Sequence, residues 1–183
     1  MQKIDFDEFN DLVSRSSLKP RLKRELRFVA STAGMSEEEW EVRELIAISD
    51  RSGNKGALII SIESGLYLIP YELKSGITSS ATGRSQSIIC DFCQTWQYGD
   101  KSASITFTID AKSNVSYLCC GDLRCSLHVR TLTSAAHTSR AQLREDLTNQ
   151  QRINRLKTRL QGYIQRIGAT PMSTQTARDP AAQ

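Results

Sequence analysis

Apolar residues recur at helical steps near both ends of the chain, and alternate or run together between them. Phe6, Phe9 and Val13 follow Asp5, with Glu8 three residues beyond it, the pattern of a capped helix. Residues 16–19 break that helix. Pro20 suits the first turn of a second one, with Leu22, Leu26 and Val29 on one face. Ser36 with Glu39 caps a short turn that ends near Trp40. From Val42 the period shortens. Residues 44–49 read as a strand and 50–56 as a loop of turn formers. Residues 57–62 form a nearly continuous apolar run suited to a central strand. After Glu63-Ser64-Gly65 turns the chain, residues 66–73 return, and Pro70 demotes the end of that strand to an edge. The prediction is a helical start over 1–40 and a β-meander over 42–73.

Residues 74–87 are rich in Ser, Thr and Gly and read as a flexible connection. Ile105, Phe107 and Ile109 then alternate with Ser and Thr, the clearest half-buried strand in the chain. Lys112-Ser113-Asn114 turns it, and residues 115–119 pair back. Asp122 can cap a following helix that carries Leu123, Leu127 and Val129. After a linker over 131–138, Ser139 with Gln142 opens a long basic helix over 138–168. Leu143, Leu147, Ile153, Leu156, Leu160, Tyr163, Ile164 and Ile167 form its apolar stripe. Its other face carries Arg144, Arg152, Arg155, Lys157, Arg159 and Arg166, and Gly168 ends it. Residues 169–183, with Pro171 and Pro180, read as a disordered tail.

All five cysteines lie between residues 88 and 130, and they change the picture. Cys90-Asp91-Phe92-Cys93 opens this stretch and Cys119-Cys120-Gly121-Asp122-Leu123-Arg124-Cys125 closes it. A close pair, a hairpin and then a helix with a cysteine in its first turn is the order of a treble-clef zinc finger. Zinc favours four ligands in a tetrahedron, and four thiolates are a common structural set. Cys90, Cys93 and Cys125 supply three of them. Cys119 and Cys120 both stand at the end of the hairpin, and strand alternation sends them to opposite faces, so only one can readily bind. Cys120 is the choice and Cys119 the spare. A closed four-cysteine site has no open position, which argues against catalysis at the metal. His128 and His137 are the only histidines, and neither stands where a treble-clef nuclease would need one. His128 reads as a surface or packing residue. There is no nucleophile elbow, phosphate loop or paired-carboxylate motif. The protein is therefore expected to be no enzyme and to take no small-molecule substrate.

The chain has 183 residues, of which 39% are hydrophobic and 24% charged, a globular composition. No apolar run approaches a membrane span. Asp5, Asp7 and Glu8 stand where a secretory leader needs an apolar core, so the expectation is cytoplasmic, where clustered cysteines hold metal more often than they form disulfides. Net charge is +4, and residues 120–168 hold nine Lys/Arg against three Asp/Glu, which suits an anionic partner. A second basic run, Arg15, Lys19, Arg21, Lys23, Arg24 and Arg27, could touch phosphate or form the wet side of a helix.

Cys90-Asp91-Phe92-Cys93 followed by Tyr117-Leu118-Cys119-Cys120-Gly121-Asp122-Leu123-Arg124-Cys125-Ser126-Leu127 resembles the C-terminal treble-clef domain of the elongation factor G-binding family, the FusB-like fusidic acid resistance proteins. The resemblance extends forward into the terminal helix and back to the meander. It implies an α+β fold: an antiparallel β-meander with a treble-clef finger, N-terminal helices and a long C-terminal helix. It also implies one structural Zn2+ and a non-catalytic protein that binds elongation factor G on or off the ribosome. Phe92, Trp96, Tyr98, Arg124 and Arg130 are then the expected partner contacts, because aromatics and arginine carry a disproportionate share of interface energy. The competing expectation is an RNA-binding zinc module that applies its basic terminal helix to ribosomal RNA.

Overall fold

The computed structural model describes residues 1–78 and 82–172. Its elements run α1 (Phe6–Arg15), α2 (Pro20–Glu25), α3 (Phe28–Thr32), α4 (Glu37–Glu41), β1 (Leu45–Ser49), β2 (Lys55–Ile62), β3 (Gly65–Ser75), β4 (Ile88–Ile89), β5 (Trp96–Gln97), β6 (Ser102–Thr108), β7 (Asn114–Cys120), α5 (Cys125–Val129), α6 (Ser134–Leu143) and α7 (Asn149–Ile167). Five strands form one antiparallel sheet in the order β1-β2-β3-β6-β7, and β4 pairs with β5 in a separate small ribbon.

The sheet is buried on both faces at β1 and β2, which explains the continuous apolar run of β2. Ile59 points with Ile46 and Ile48 into a cluster completed by Phe9, Leu12, Val13, Phe28 and Trp40 of the N-terminal helices. Leu58 and Ile60 point the other way, with Tyr67, Ile69, Ile105 and Phe107, toward Leu156, Leu160 and Ile164 of α7. Alternation along each strand divides the side chains between two cores. Leu58, Ile59, Leu156 and Leu160 are fully buried, and each such side chain contributes about 2 kcal/mol by transfer from water.

Local rules set several boundaries. Asp5 and Glu8 form a reciprocal capping box, and the Ser36 hydroxyl accepts the Glu39 amide. The expected second helix is instead two short ones. The Arg27 amide donates to the Ser49 carbonyl at 3.0 Å rather than continuing a helical ladder, so the helix stops at the sheet. The break turns Phe28 inward, stacked on Phe9 at 4.5 Å, and leaves Val29 65% exposed.

The long helix expected over 138–168 is also two helices. Thr133 caps α6, Arg144 takes a left-handed backbone at φ 48°, and Thr148 with Gln151 forms a fresh capping box for α7. Ser139 is therefore no cap. It is buried within α6, and its hydroxyl accepts the Trp96 amide at 2.9 Å.

Pro70 lies on an edge, as expected. The edge is the stretch of β3 that has β2 alone as neighbour, whereas β6 pairs with residues 72–75, so the end of the strand is not left bare. Of the expected tail, residues 169–172 are ordered: the Met172 amide donates to the Leu66 carbonyl at 2.7 Å, and its side chain packs on the N-terminal core. Residues 173–183 lie outside the described residues. No described helix is long and apolar enough to cross a membrane.

Candidate metal centre

β4 and β5 hold a tight knuckle between them. The Cys90 amide donates to the Thr95 carbonyl at 3.0 Å and the Gln94 amide to the Cys90 carbonyl at 2.8 Å, with Gln94 at a left-handed φ of 59°. This turn brings Cys90 and Cys93 to one side. The end of β7 presents Cys120, and Cys125 is the first residue of α5. Asp91 locks knuckle to hairpin: its amide donates to the Leu118 carbonyl at 2.8 Å and its carboxylate accepts the Leu118 amide at 2.7 Å.

The four sulfurs of Cys90, Cys93, Cys120 and Cys125 lie within 4.8 Å of one another, and all four residues are buried. Cys93 and Cys120 sulfurs are 3.5 Å apart and those of Cys90 and Cys125 3.8 Å. A zinc–sulfur bond of about 2.3 Å gives a tetrahedron with edges of about 3.8 Å, so the spacing fits zinc and is far too long for disulfides. Cys119 is buried but outside the cluster. Its register with Ala103 turns it into the sheet's core, where burial pushes its thiol well up and keeps it neutral.

The electrostatics suit a divalent cation. Burial raises the Cys90 thiol, but hydrogen bonds with Cys120, Cys125 and Cys93 outweigh it and hold it well below its ordinary value. Cys125 is pushed well above its own by Cys120, Cys90 and Cys93 and by burial. One thiolate therefore forms readily and opposes the next until a cation neutralises them. Outer partners are in place, since Thr95 Oγ1 lies 3.1 Å from the Cys93 sulfur and Gln97 Nε2 donates to that of Cys120 at 3.3 Å. Sequence reasoning missed Thr95 and Gln97; the signal in the sequence was two polar residues alternating around Trp96 just after the second cysteine.

Helix α5 is fastened to the sheet by residues the sequence did not single out for that task. Ser126 Oγ accepts the amides of Glu44 at 2.9 Å and Leu45 at 3.3 Å. Arg130 donates to both carboxylate oxygens of Glu44, at 2.8 and 2.6 Å. Asp122 caps no helix: it accepts the Arg124 amide at 3.0 Å and lies 3.2 Å from Nε2 of His128. Burial pushes the Asp122 carboxyl up, but the His128 and Arg124 contacts outweigh it and hold it below the usual carboxylate value. His128 is fully buried, with Thr133 Oγ1 2.7 Å from its other ring nitrogen, a packed residue rather than a surface one.

The expected partner contacts divide. Phe92 is only 2% exposed and packs edge-on against Tyr163 at 5.2 Å, so it is core and not contact surface. Arg130 is committed to Glu44. Trp96 and Tyr98 lie against each other at 5.2 Å, with Lys101 over the Tyr98 ring, and Tyr98 is half exposed. Arg124 is exposed beside a groove of about 420 Å³ that also takes in Lys101 and Ala135.

A knuckle, a hairpin and a helix closing on four buried thiols define a treble-clef zinc finger, with the cysteines suited to one structural Zn2+. The chain belongs to the FBP C-terminal treble-clef zinc-finger family, the FusB type, whose model matches residues 14–167. No curated protein and no solved structure matches it.

Proposed function

We propose that this is a non-catalytic zinc protein that binds translation elongation factor G and modulates its release from the ribosome. Family membership over residues 14–167 is the observation that carries this reading. In it, Cys90, Cys93, Cys120 and Cys125 ligate zinc as thiolates and fix the knuckle to α5. The exposed Tyr98 and Arg124, with the half-buried Trp96 beside Tyr98, make the contact. The zinc does no chemistry. It holds the aromatic pair and Arg124 in place before binding, which lowers the ordering cost of association.

The RNA reading through the terminal helix loses support from the side chains of α7. Arg152 and Arg155 both reach Glu145, at 3.0 and 2.7 Å, and Arg159 donates to the Asp91 carbonyl. The outward residues are mostly uncharged: Gln151, Asn154, Thr158, Gln161 and Gln165. Capture of purified elongation factor G by the zinc-loaded protein, in moderate salt and with nuclease present, tests the proposal. Binding should survive both treatments, and the Trp96→Ala/Tyr98→Ala double variant should weaken it at least tenfold while keeping its zinc. Capture that vanishes with nuclease would sink it.

A further inference from the structure

The basic run at the second helix has a place in the fold that the finger does not use. Arg21 and Arg24 are exposed and three residues apart on α2, hence on one face. The Arg27 amide is bonded to the Ser49 carbonyl, and the Ser49 amide donates to Ser31 Oγ at 3.2 Å, so the α2–α3 junction is stapled beside the β1–β2 turn. A cleft of about 320 Å³ opens there, lined by Arg27 and Arg51, by the carboxylate of Asp50, and by small residues that include Ser31, Ser49 and Ser52.

Neighbouring cations have partners: Arg21 pairs with Glu25 and Lys55 with Glu72. The Asp50 carboxylate is engaged with the Ser52 hydroxyl at 2.9 Å. Arg27 and Arg51 are exposed, and among the described residues neither guanidinium has an acidic partner. Two guanidinium groups without acidic partners line the one cleft; they outnumber the single Asp50 carboxylate there and supply the forked donors that suit a phosphate.

We propose that the cleft lined by Arg27 and Arg51 binds a phosphate of an RNA backbone, with the exposed Arg24 of α2 available to the next phosphate. Arg24 and Arg27, three residues apart at the α2–α3 junction, and Arg51 in the β1–β2 turn are exposed cations from two parts of the chain, which suits a chain of repeated charges better than a single anion. No aromatic side chain lines the cleft, so the contact reads backbone and not sequence. This surface is separate from the finger, and the proposal does not depend on the identity of the protein partner.

The test uses the intact zinc-loaded chain and an end-labelled single-stranded RNA of uniform sequence, followed by anisotropy across a salt series. Arg27→Gln/Arg51→Gln should lose at least tenfold in affinity, and its log–log salt slope should fall by about 0.7, the amount for one neutralised phosphate on a single strand. A control, Arg84→Gln/Lys112→Gln, removes the same charge elsewhere and should bind as the parent does. Equal loss in the control would mean net charge alone is read and would overturn the assignment. So would binding unchanged in the cleft variant, binding to vesicles containing phosphatidylserine but not to RNA, or equal affinity for polyglutamate. Elongation factor G capture should be the same in the cleft variant, so the failure of one proposal is distinguishable from failure of the other.

Discussion

Cys119 and Cys120 are adjacent in sequence and have opposite surroundings. One faces the sheet's core, the other the thiol cluster. Cys119→Ala removes a buried sulfur from an apolar site, so we expect a loss of about 1 kcal/mol and full zinc content. Cys120→Ala leaves three thiols where the proposed ion needs four, so zinc content should collapse along with the fold of the finger. Chromogenic zinc release and thermal melts of both variants check this; equal zinc in the two would reassign the ligand. Ser126→Ala tests a different kind of dependence. It strips the hydroxyl from two buried amides, and an unmet buried amide costs about 1–3 kcal/mol. Chemical denaturation should show that loss with zinc stoichiometry unchanged. The cysteine spacing made the cluster readable in advance, because a knuckle is a local structure. The inward turn of Phe92 was not readable, since Tyr117 and Tyr163, which enclose it, arrive from distant parts of the chain.

At the scale of elements, legibility follows whether a boundary is set locally. The capping box at Asp5, the Ser36 cap and the β6–β7 alternation were all visible, because every residue involved lies within one turn or one hairpin. The α2–α3 break was not, because it depends on the Ser49 carbonyl capturing the Arg27 amide. The α6–α7 break was half visible: Thr148 with Gln151 is as good a capping pattern as Ser139 with Gln142, and the hydrophobic stripe running through both concealed it. Thr148→Ala should fray the start of α7 and cost about 1 kcal/mol, measurable by denaturation. The Glu44–Arg130 bridge joins α5 to the start of β1, with the Glu44 side chain 5% exposed. Glu44→Gln leaves the guanidinium without its charge partner and should destabilise by about 3 kcal/mol. The same substitution should leave the four thiols in place, so zinc affinity would change far less than unfolding free energy.

Across the whole molecule, α7 ties the metal centre to the sheet. Its apolar side packs on α5 and β2, and both Arg159 and Tyr163 donate to the Asp91 carbonyl inside the knuckle. The N-terminal helices pack on the opposite face, in a cluster that includes none of the four cysteines. Chelation should therefore loosen the molecule unevenly. We expect hydrogen exchange to rise first in the knuckle, α5 and α7, with α1 and β2 protected until higher denaturant; uniform exchange would contradict that order. Protons compete with zinc for the thiolates, so acidification should release metal along the same route.

The stretch of β3 left open by β6 has a further consequence. A bare strand flank invites an identical chain to add to it. Here that flank is blunted twice: Pro70 has no amide to offer, and Met172 already occupies the Leu66 carbonyl. The segment around Met172 thus acts as a guard against self-templating. A chain cut back to Ala169 should keep its zinc and its fold, yet form sheet-rich aggregates at concentrations where the full chain stays dispersed.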